Sequence, residues 1–332
     1  MKSLVYFKPS SSSVPFEGVR LRKNLKGALE LSSLSWVDSI YANPEVVHLL
    51  SPDDESLVKS FREEGAKIVV SAFSTENDPE ARFLDKNTEG GFALRKVAIK
   101  LLTEADLVLV PNVFCEDFIR AQGLKCRLEI LSAGVNLSRF EGLEKTEKDV
   151  FFHYFRVPTT TQYAISVGDF DDQEAKKAIE QLAFLVPNLR FFFLGIGKHG
   201  RYRSEAIARL NKSCPSNLTY SDLVEDDVYR SAIVNAKACI LFDGSHPDNL
   251  TALEAMAARV QVFTLGKVSF PGVVVDKVNG YSFLEVSELA KSLQTHCLGK
   301  LKSTIIEGYK TAEANSLQKV GERLKAYYES LV

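Results

Sequence analysis

Short apolar runs alternate with amphipathic helical stretches along almost the whole chain, and this alternation constrains the fold more than any other feature. The runs at 3–7, 46–50, 66–72, 107–110 and 128–131 form one series, and those at 163–167, 189–194, 218–220, 238–242 and 260–265 form another. Continuous apolar runs of this length read as strands buried on both faces, and helices between them make the sheet parallel and doubly wound. Helical patterns at 19–31, 54–64 and 92–103 fit that scheme. Two such series in tandem predict two facing Rossmann-like α/β domains with parallel sheets, over 1–150 and 151–312. The charged and aromatic stretch 141–156, followed by Pro158 and three threonines, reads as the crossover between them. An amphipathic pattern at 316–331 has no strand after it, so 313–332 is expected to be a closing helix that crosses back to the first domain.

The formal net charge of −2 over 332 residues gives no global basic field, and a nucleic-acid partner is not expected. Cys115, Cys126, Cys214, Cys239 and Cys297 are odd in number and form no C-x-x-C pair, which fits reduced thiols better than a disulfide frame or a zinc site. No apolar run approaches the roughly 18 residues of a spanning helix. The expectation is a cytoplasmic protein, soluble or peripheral on the cytoplasmic face of a membrane.

The most informative local unit runs from the strand Ala238-Cys239-Ile240-Leu241-Phe242, through the polar elbow Ser245-His246-Pro247-Asp248-Asn249, into the helix Leu250-Thr251-Ala252-Leu253-Glu254-Ala255-Met256-Ala257-Ala258. A helix N-terminus after a parallel strand points unpaired N–H groups and a positive dipole end toward the ligand crevice, so an anion such as a phosphate is the natural occupant. Asn249, Leu250 and Thr251 are the candidate binding residues there. Gly168, and Gly195 with Gly197 in the turn Gly195-Ile196-Gly197, end two other strands of the same series. No strand is followed by G-x-G-x-x-G, which counts against a dinucleotide-dependent oxidoreductase. In the first series, Arg20, Arg22, Lys23 and Lys26 surround an apolar helical face formed by Leu21, Leu25, Ala28 and Leu29. They read equally well as a site for an anionic acceptor or membrane surface and as a solvated helix face.

Four fragments in order carry a resemblance: Ala105-Asp106-Leu107-Val108-Leu109-Val110-Pro111-Asn112, Ser132-Ala133-Gly134-Val135-Asn136-Leu137-Ser138-Arg139-Phe140, Val167-Gly168-Asp169-Phe170 and Leu253-Glu254-Ala255-Met256-Ala257. With Val275-Asp276-Lys277-Val278-Asn279-Gly280-Tyr281 after them, the chain resembles the retaining GT-B glycosyltransferases of family four. The short length and the run Phe151-Phe152-His153-Tyr154-Phe155 are similar to members that glycosylate diacylglycerol glycolipids. The resemblance implies an active site between two Rossmann-like domains. The second domain would hold a nucleotide-sugar donor, a UDP-hexose, and the first a lipid or glycan acceptor. The donor is a substrate, and neither cofactor nor metal is expected; Asp169-Phe170-Asp171 spells D-x-D but reads as an acidic turn. It further implies that Glu254 binds the ribose hydroxyls, a task suited to a carboxylate that accepts two hydrogen bonds at once.

Several family positions are altered. His246 stands where the first Glu of the family's Glu-x7-Glu pattern belongs. Asp169 and Glu174 stand where an Arg and a Lys neutralise the leaving diphosphate, and the strand end at Ser71 or Phe73 lacks the family's histidine. Charge at a phosphate-transfer site is usually the largest catalytic term, so other cations are needed to replace the missing pair. Lys176, Lys177, Lys198, Arg201 and Arg203 are near enough in sequence, and His246 with Lys176 are the candidate catalytic residues. Two functions follow. One is an active hexosyltransferase; the other is a catalytically degenerate relative that serves as partner or scaffold for an active homologue, and a homo-oligomer is the remaining partner expectation.

Overall fold

The structure, a computed structural model, describes residues 4–7, 16–37, 39, 41–50, 55–72, 84–86, 92–168, 172–195, 203–222, 224–242, 250–266 and 273–332. Within these, the chain divides into two units, Met1–Gly134 with Asn315–Val332, and Val135–Ser245 with Asn249–Ala314.

The first unit contains β1 (Leu4–Phe7), α1 (Phe16–Leu31), β2 (Ser35–Val37), β3 (Val46–Leu49), α2 (Glu55–Glu63), β4 (Lys67–Ser71), β5 (Leu84–Lys86), β6 (Phe92–Leu94), α3 (Lys96–Glu104), β7 (Leu107–Val110), α4 (Val113–Ala121) and β8 (Leu128–Ile130). Six of these strands pair in parallel in the order β2-β1-β3-β4-β7-β8, which puts the reversal of strand order beside β1. Every residue of β3 and β7 is buried, as expected for strands covered on both faces. On one face α2, α3 and α4 supply Val58, Phe61, Leu101, Leu102 and Ile119. On the other, Leu25, Ala28 and Leu29 of α1 pack with Leu317, Val320, Leu324 and Tyr328 of the C-terminal helix.

The second unit continues with a 3-10 turn at Leu137–Arg139, α5 (Lys145–Phe155), β9 (Tyr163–Gly168), α6 (Gln173–Leu185), β10 (Arg190–Gly195), α7 (Arg203–Ser213), β11 (Leu218–Ser221), α8 (Asp226–Asn235), β12 (Ala238–Phe242), α9 (Leu250–Ala257), β13 (Gln261–Leu265), β14 (Tyr281–Phe283), α10 (Val286–Cys297) and α11 (Ile305–Ala314). Its parallel sheet has the order β11-β10-β9-β12-β13-β14, the doubly wound arrangement whose switch point lies between β9 and β12. The last helix, α12 (Leu317–Glu329), belongs to the first unit.

Three expectations need correction. Residues 92–94 are not helical: Phe92–Leu94 pairs antiparallel with Leu84–Lys86, and the helix begins only at Lys96. The stretch 141–156 is not a plain crossover, because it contains α5. Glu144 and Glu147 form a capping box at its start, and Arg156 ends it with a left-handed φ of 53°. The unit boundary therefore falls at Gly134 rather than at 150, since α5 packs within the second unit: the amide of Phe151 donates to Ser231 Oγ of α8 at 2.9 Å. The aromatic run in α5 is core material, with the Phe151 ring stacked on Tyr163 at 4.4 Å and edge-on to Phe192 at 4.9 Å.

The loop Ser132-Ala133-Gly134 is held by side chains of the first unit. Gly134 has φ +83°, and a Cβ there would lie 2.9 Å from Val320 Cγ2 and 3.1 Å from Leu317 Cδ2. Asn24 Nδ2 of α1 donates to its carbonyl at 2.6 Å, and its own amide donates to Ser132 Oγ at 3.1 Å. Only glycine accepts both that backbone and that crowding.

Candidate functional site

In a doubly wound sheet, loops after the strands on either side of the switch point form the ligand crevice. In the second unit those strands are β9 and β12. β9 ends at Gly168, which pairs in register with Gly195 at the end of β10. Gly168 is required by packing: a Cβ would sit 2.9 Å from Cζ of Phe193, a fully buried ring. The start of α6 then turns acidic. Asp172 caps it, Oδ1 accepting from the amides of Glu174 and Ala175 at 3.0 and 2.9 Å, and so takes the donors an anionic ligand would use. Lys177 pairs with Glu174 at 3.3 Å on the exposed face. Lys176 is half-buried and forms no ion pair with any described residue.

β12 leads to α9, whose residues from Leu250 to Ala257 are all buried. The alanines make this possible by presenting small side chains on every side. Gly308 of α11 approaches so closely that a Cβ there would lie 3.3 Å from Met256 Cγ. Within this apolar helix sits one charge. Glu254 is 1% exposed, so its carboxylate is not a solvated helix side chain.

A buried carboxylate must be paired and hydrogen-bonded. Arg139, from the 3-10 turn before α5, donates from Nη1 to Glu254 Oε1 at 3.1 Å, and the Tyr229 hydroxyl of α8 donates to Oε2 at 2.6 Å. Arg139 Nη2 donates to Asp226, one turn before Tyr229 on α8. The guanidinium is 17% exposed and lies 5.3 Å from the ring centre of Phe140. The negative charge is felt nearby: burial, reinforced by Glu254, pushes the Cys239 thiol up to about 12.

Glu254, Leu250, Thr251, Gly168, Gly195 and Lys176 thus lie in one unit, at or beside the strand ends flanking its switch point. His246, Asn249, Gly197, the Asp169-Phe170-Asp171 turn, Lys198 and Arg201 lie outside the described residues, as does the side chain of Arg203. The basic set on α1 is in the first unit and does not act as one patch. Arg20 is buried at 9% exposure, and Lys26 Nζ sits 4.5 Å over the Trp36 ring. Lys23 is exposed, and the side chain of Arg22 is not among those described. A patch of four solvated cations is therefore corrected to a smaller one, because the face that carries Arg20 and Asn24 turns toward the protein interior.

Sequence reasoning missed Arg139, Tyr229 and Asp226. Arg139 lies in the Ser132–Phe140 fragment, where its spacing marks no role, and nothing local marks the other two. It also missed His48, a fully buried histidine on β3 whose ring nitrogens lie 2.7 Å from the Tyr328 hydroxyl and 2.8 Å from Ser71 Oγ. Burial drives its pKa down to about 3, so the ring is neutral. Ser71, at the strand end that carries no histidine of its own, is thus engaged by a histidine from the neighbouring strand. The Val275–Tyr281 fragment is a turn fixed from inside: Asn279 Nδ2 donates to Val273 O and Thr311 Oγ1, and its Oδ1 accepts from the Val275 amide.

No protein-family model matches the chain. A curated relative, the processive diacylglycerol alpha-glucosyltransferase of Acholeplasma laidlawii, is 22% identical over 339 residues, covering 100% of this chain and 99% of its own. Among solved structures, sucrose-phosphate synthase from Thermosynechococcus elongatus has a TM-score of 0.75 at 12% identity, covering 99% of each chain. HepE from Anabaena in complex with UDP-glucose has a TM-score of 0.73 at 10% identity, covering 98% of this chain and 99% of its own. The lipopolysaccharide outer core galactosyltransferase WaaB has 0.65 at 14%, covering 99% of each. Two parallel sheets in these strand orders, matched over nearly the whole length by such enzymes, give the chain the GT-B fold of glycosyltransferases.

Proposed function

We propose that the chain is a retaining hexosyltransferase that takes a hexose from a nucleoside-diphosphate donor, UDP-linked, and passes it to a lipid or glycan acceptor, foremost a diacylglycerol glycolipid. The observation that carries this reading is the buried, doubly anchored carboxylate of Glu254 on the helix that follows β12 at the switch point. Support also comes from a relative named as a diacylglycerol glucosyltransferase and a similar fold solved with UDP-glucose. In this reading Glu254 meets the ribose, and the first amides of α9 at Leu250 and Thr251 meet the diphosphate. His246 and Lys176 act on the leaving group. The donor is a substrate, so no cofactor is needed. Among the described residues no helix is long and apolar enough to cross a membrane. Contact with a lipid acceptor would then be peripheral, through the face of α1 that carries Lys23 and Lys26.

Two observations favour a second reading, a degenerate partner or scaffold. The start of α6 is occupied by Asp172 and flanked by Glu174, and the Glu254 carboxylate is already satisfied by protein donors. The readings separate in one experiment: calorimetric titration of UDP-glucose into the purified chain, followed by transfer from labelled donor into vesicles containing diacylglycerol. Saturable binding that weakens in Glu254→Ala, with an α-linked lipid product, supports the transferase. Binding without turnover supports the degenerate partner, and no binding of any nucleotide sugar sinks the donor site itself.

A further inference from the structure

The carboxylate of Glu254 is fixed from two elements distant from it in sequence. Arg139 holds Oε1 and Tyr229 holds Oε2, so each oxygen has its own donor. Asp226 holds the second terminal nitrogen of the same guanidinium, so rotation of Arg139 away from Glu254 would disturb bonds to two carboxylates. Charge-assisted bonds of this kind are the strong and directional ones, and two on one carboxylate set the plane in which its lone pairs lie. An ion pair needed only to neutralise a buried charge would be served by Arg139 alone. The Tyr229 hydroxyl adds orientation without adding charge.

We propose that Tyr229 and Arg139 are positioning residues for nucleoside recognition, holding both oxygens of Glu254 in the plane that accepts hydrogen bonds from the vicinal ribose hydroxyls of a nucleoside diphosphate. This rests on the donor-site reading above. An oriented carboxylate confers a property that a merely structural ion pair does not: discrimination against a ribose that lacks one hydroxyl. A site built to bond a hydroxyl rejects the analogue without it, because the buried acceptor loses its donor.

The experiment is calorimetric titration of the full chain with UDP and with 2′-deoxy-UDP, for the wild type, Glu254→Gln, Tyr229→Phe and Arg139→Lys, each checked for folding by circular dichroism. The wild type is expected to prefer UDP about tenfold to a hundredfold, the value of one hydrogen bond to a charged group. Tyr229→Phe and Arg139→Lys should each weaken UDP while leaving 2′-deoxy-UDP nearly unchanged, so that the preference shrinks, and Glu254→Gln should abolish it. If one positioning variant fails to fold, the other decides. A preference lost in Glu254→Gln but retained in full by Tyr229→Phe and Arg139→Lys overturns the positioning role and leaves the donor site standing. A wild type that binds UDP and 2′-deoxy-UDP equally overturns this inference and leaves the donor site standing, whereas one that does not bind UDP overturns the donor-site reading and the inference with it.

Discussion

The hydroxyl of Tyr328 lies 2.7 Å from Nδ1 of His48, so a side chain of the C-terminal helix meets a strand residue 280 positions earlier in the chain. Nε2 of the same ring lies 2.8 Å from Ser71 Oγ. A neutral imidazole has one donor and one acceptor nitrogen, and here both are engaged by hydroxyls that can take either role. The result joins α12, β3 and β4 through one buried polar chain. Tyr328→Phe keeps the shape and deletes one bond of that chain, which should cost about 1–2 kcal/mol. Urea unfolding with unchanged m-value and a lowered midpoint is the expected result; a midpoint equal to the wild type would mean that packing alone docks α12.

The same histidine makes the first unit acid-sensitive. His48 has a folded-state pKa of about 3 against 6.5 for an ordinary histidine, because burial penalises the charged ring. Below pH 6.5 the unfolded chain takes up a proton that the folded chain refuses. Stability from this group is therefore fully present above about pH 6.5 and is lost as the pH falls toward 3, by at most about 1.4 kcal/mol per pH unit. Unfolding free energies should change little between pH 7.5 and 6.5 and then fall from pH 6.5 to 4.5 toward that limiting slope. His48→Gln, though less stable at neutral pH, should show a shallower slope, and an unaltered slope would assign the acid sensitivity to other groups.

A glycine governs how closely α1 and α12 cross. A Cβ on Gly321 would collide with the backbone carbonyl of Ala28, and backbone cannot step aside as a side-chain tip can. Replacing glycine by alanine inside a helix ordinarily gains about 1 kcal/mol. Here overpacking should outweigh that gain by pushing the helices apart, a cost of about 1–3 kcal/mol. Gly308→Ala in α11 is the contrasting case: its nearest neighbours would be Asn279 O at 3.2 Å and Met256 Cγ at 3.3 Å, contacts that a few tenths of an ångström relieve. Thermal melts should show Gly321→Ala clearly lowered and Gly308→Ala near the wild type. Equal shifts would refute the close-crossing argument.

These contrasts show which parts of the molecule were legible in the sequence. Strands such as Ala238–Phe242 stood out because burial on both faces of a parallel sheet demands an unbroken apolar run. Phe92–Leu94 carries a helical pattern because its three residues run straight into α3, and strand and helix differ there only in a tertiary pairing with Leu84–Lys86. α5 was hidden because its charged first turn looks like a linker, although its Glu144 and Glu147 cap is visible in retrospect. Glu254 was legible through its place after β12, whereas Arg139 lies 115 residues away and Tyr229 25, on other elements. A contact of that kind leaves no local periodicity to read. His48 passed as one more residue of a buried strand, since its partners come from β4 and α12.

Arg139 and Glu254 make a prediction about stability that is separate from ligand binding. Breaking a buried pair by removing one partner leaves an uncompensated charge, which typically costs about 3–5 kcal/mol. Arg139→Ala should therefore destabilise the second unit strongly, because Glu254 at 1% exposure has little water to turn to. The Tyr229 hydroxyl would still donate to Oε2, which places the expected loss at the lower end of that range, about 3 kcal/mol. Neutralising the orphaned group should recover part of the loss, so Arg139→Ala with Glu254→Gln should be more stable than Arg139→Ala alone. A double-mutant cycle in urea measures this coupling directly. If the two substitutions simply add, Arg139 does not compensate the Glu254 charge, and the guanidinium serves Asp226 and the Phe140 ring instead.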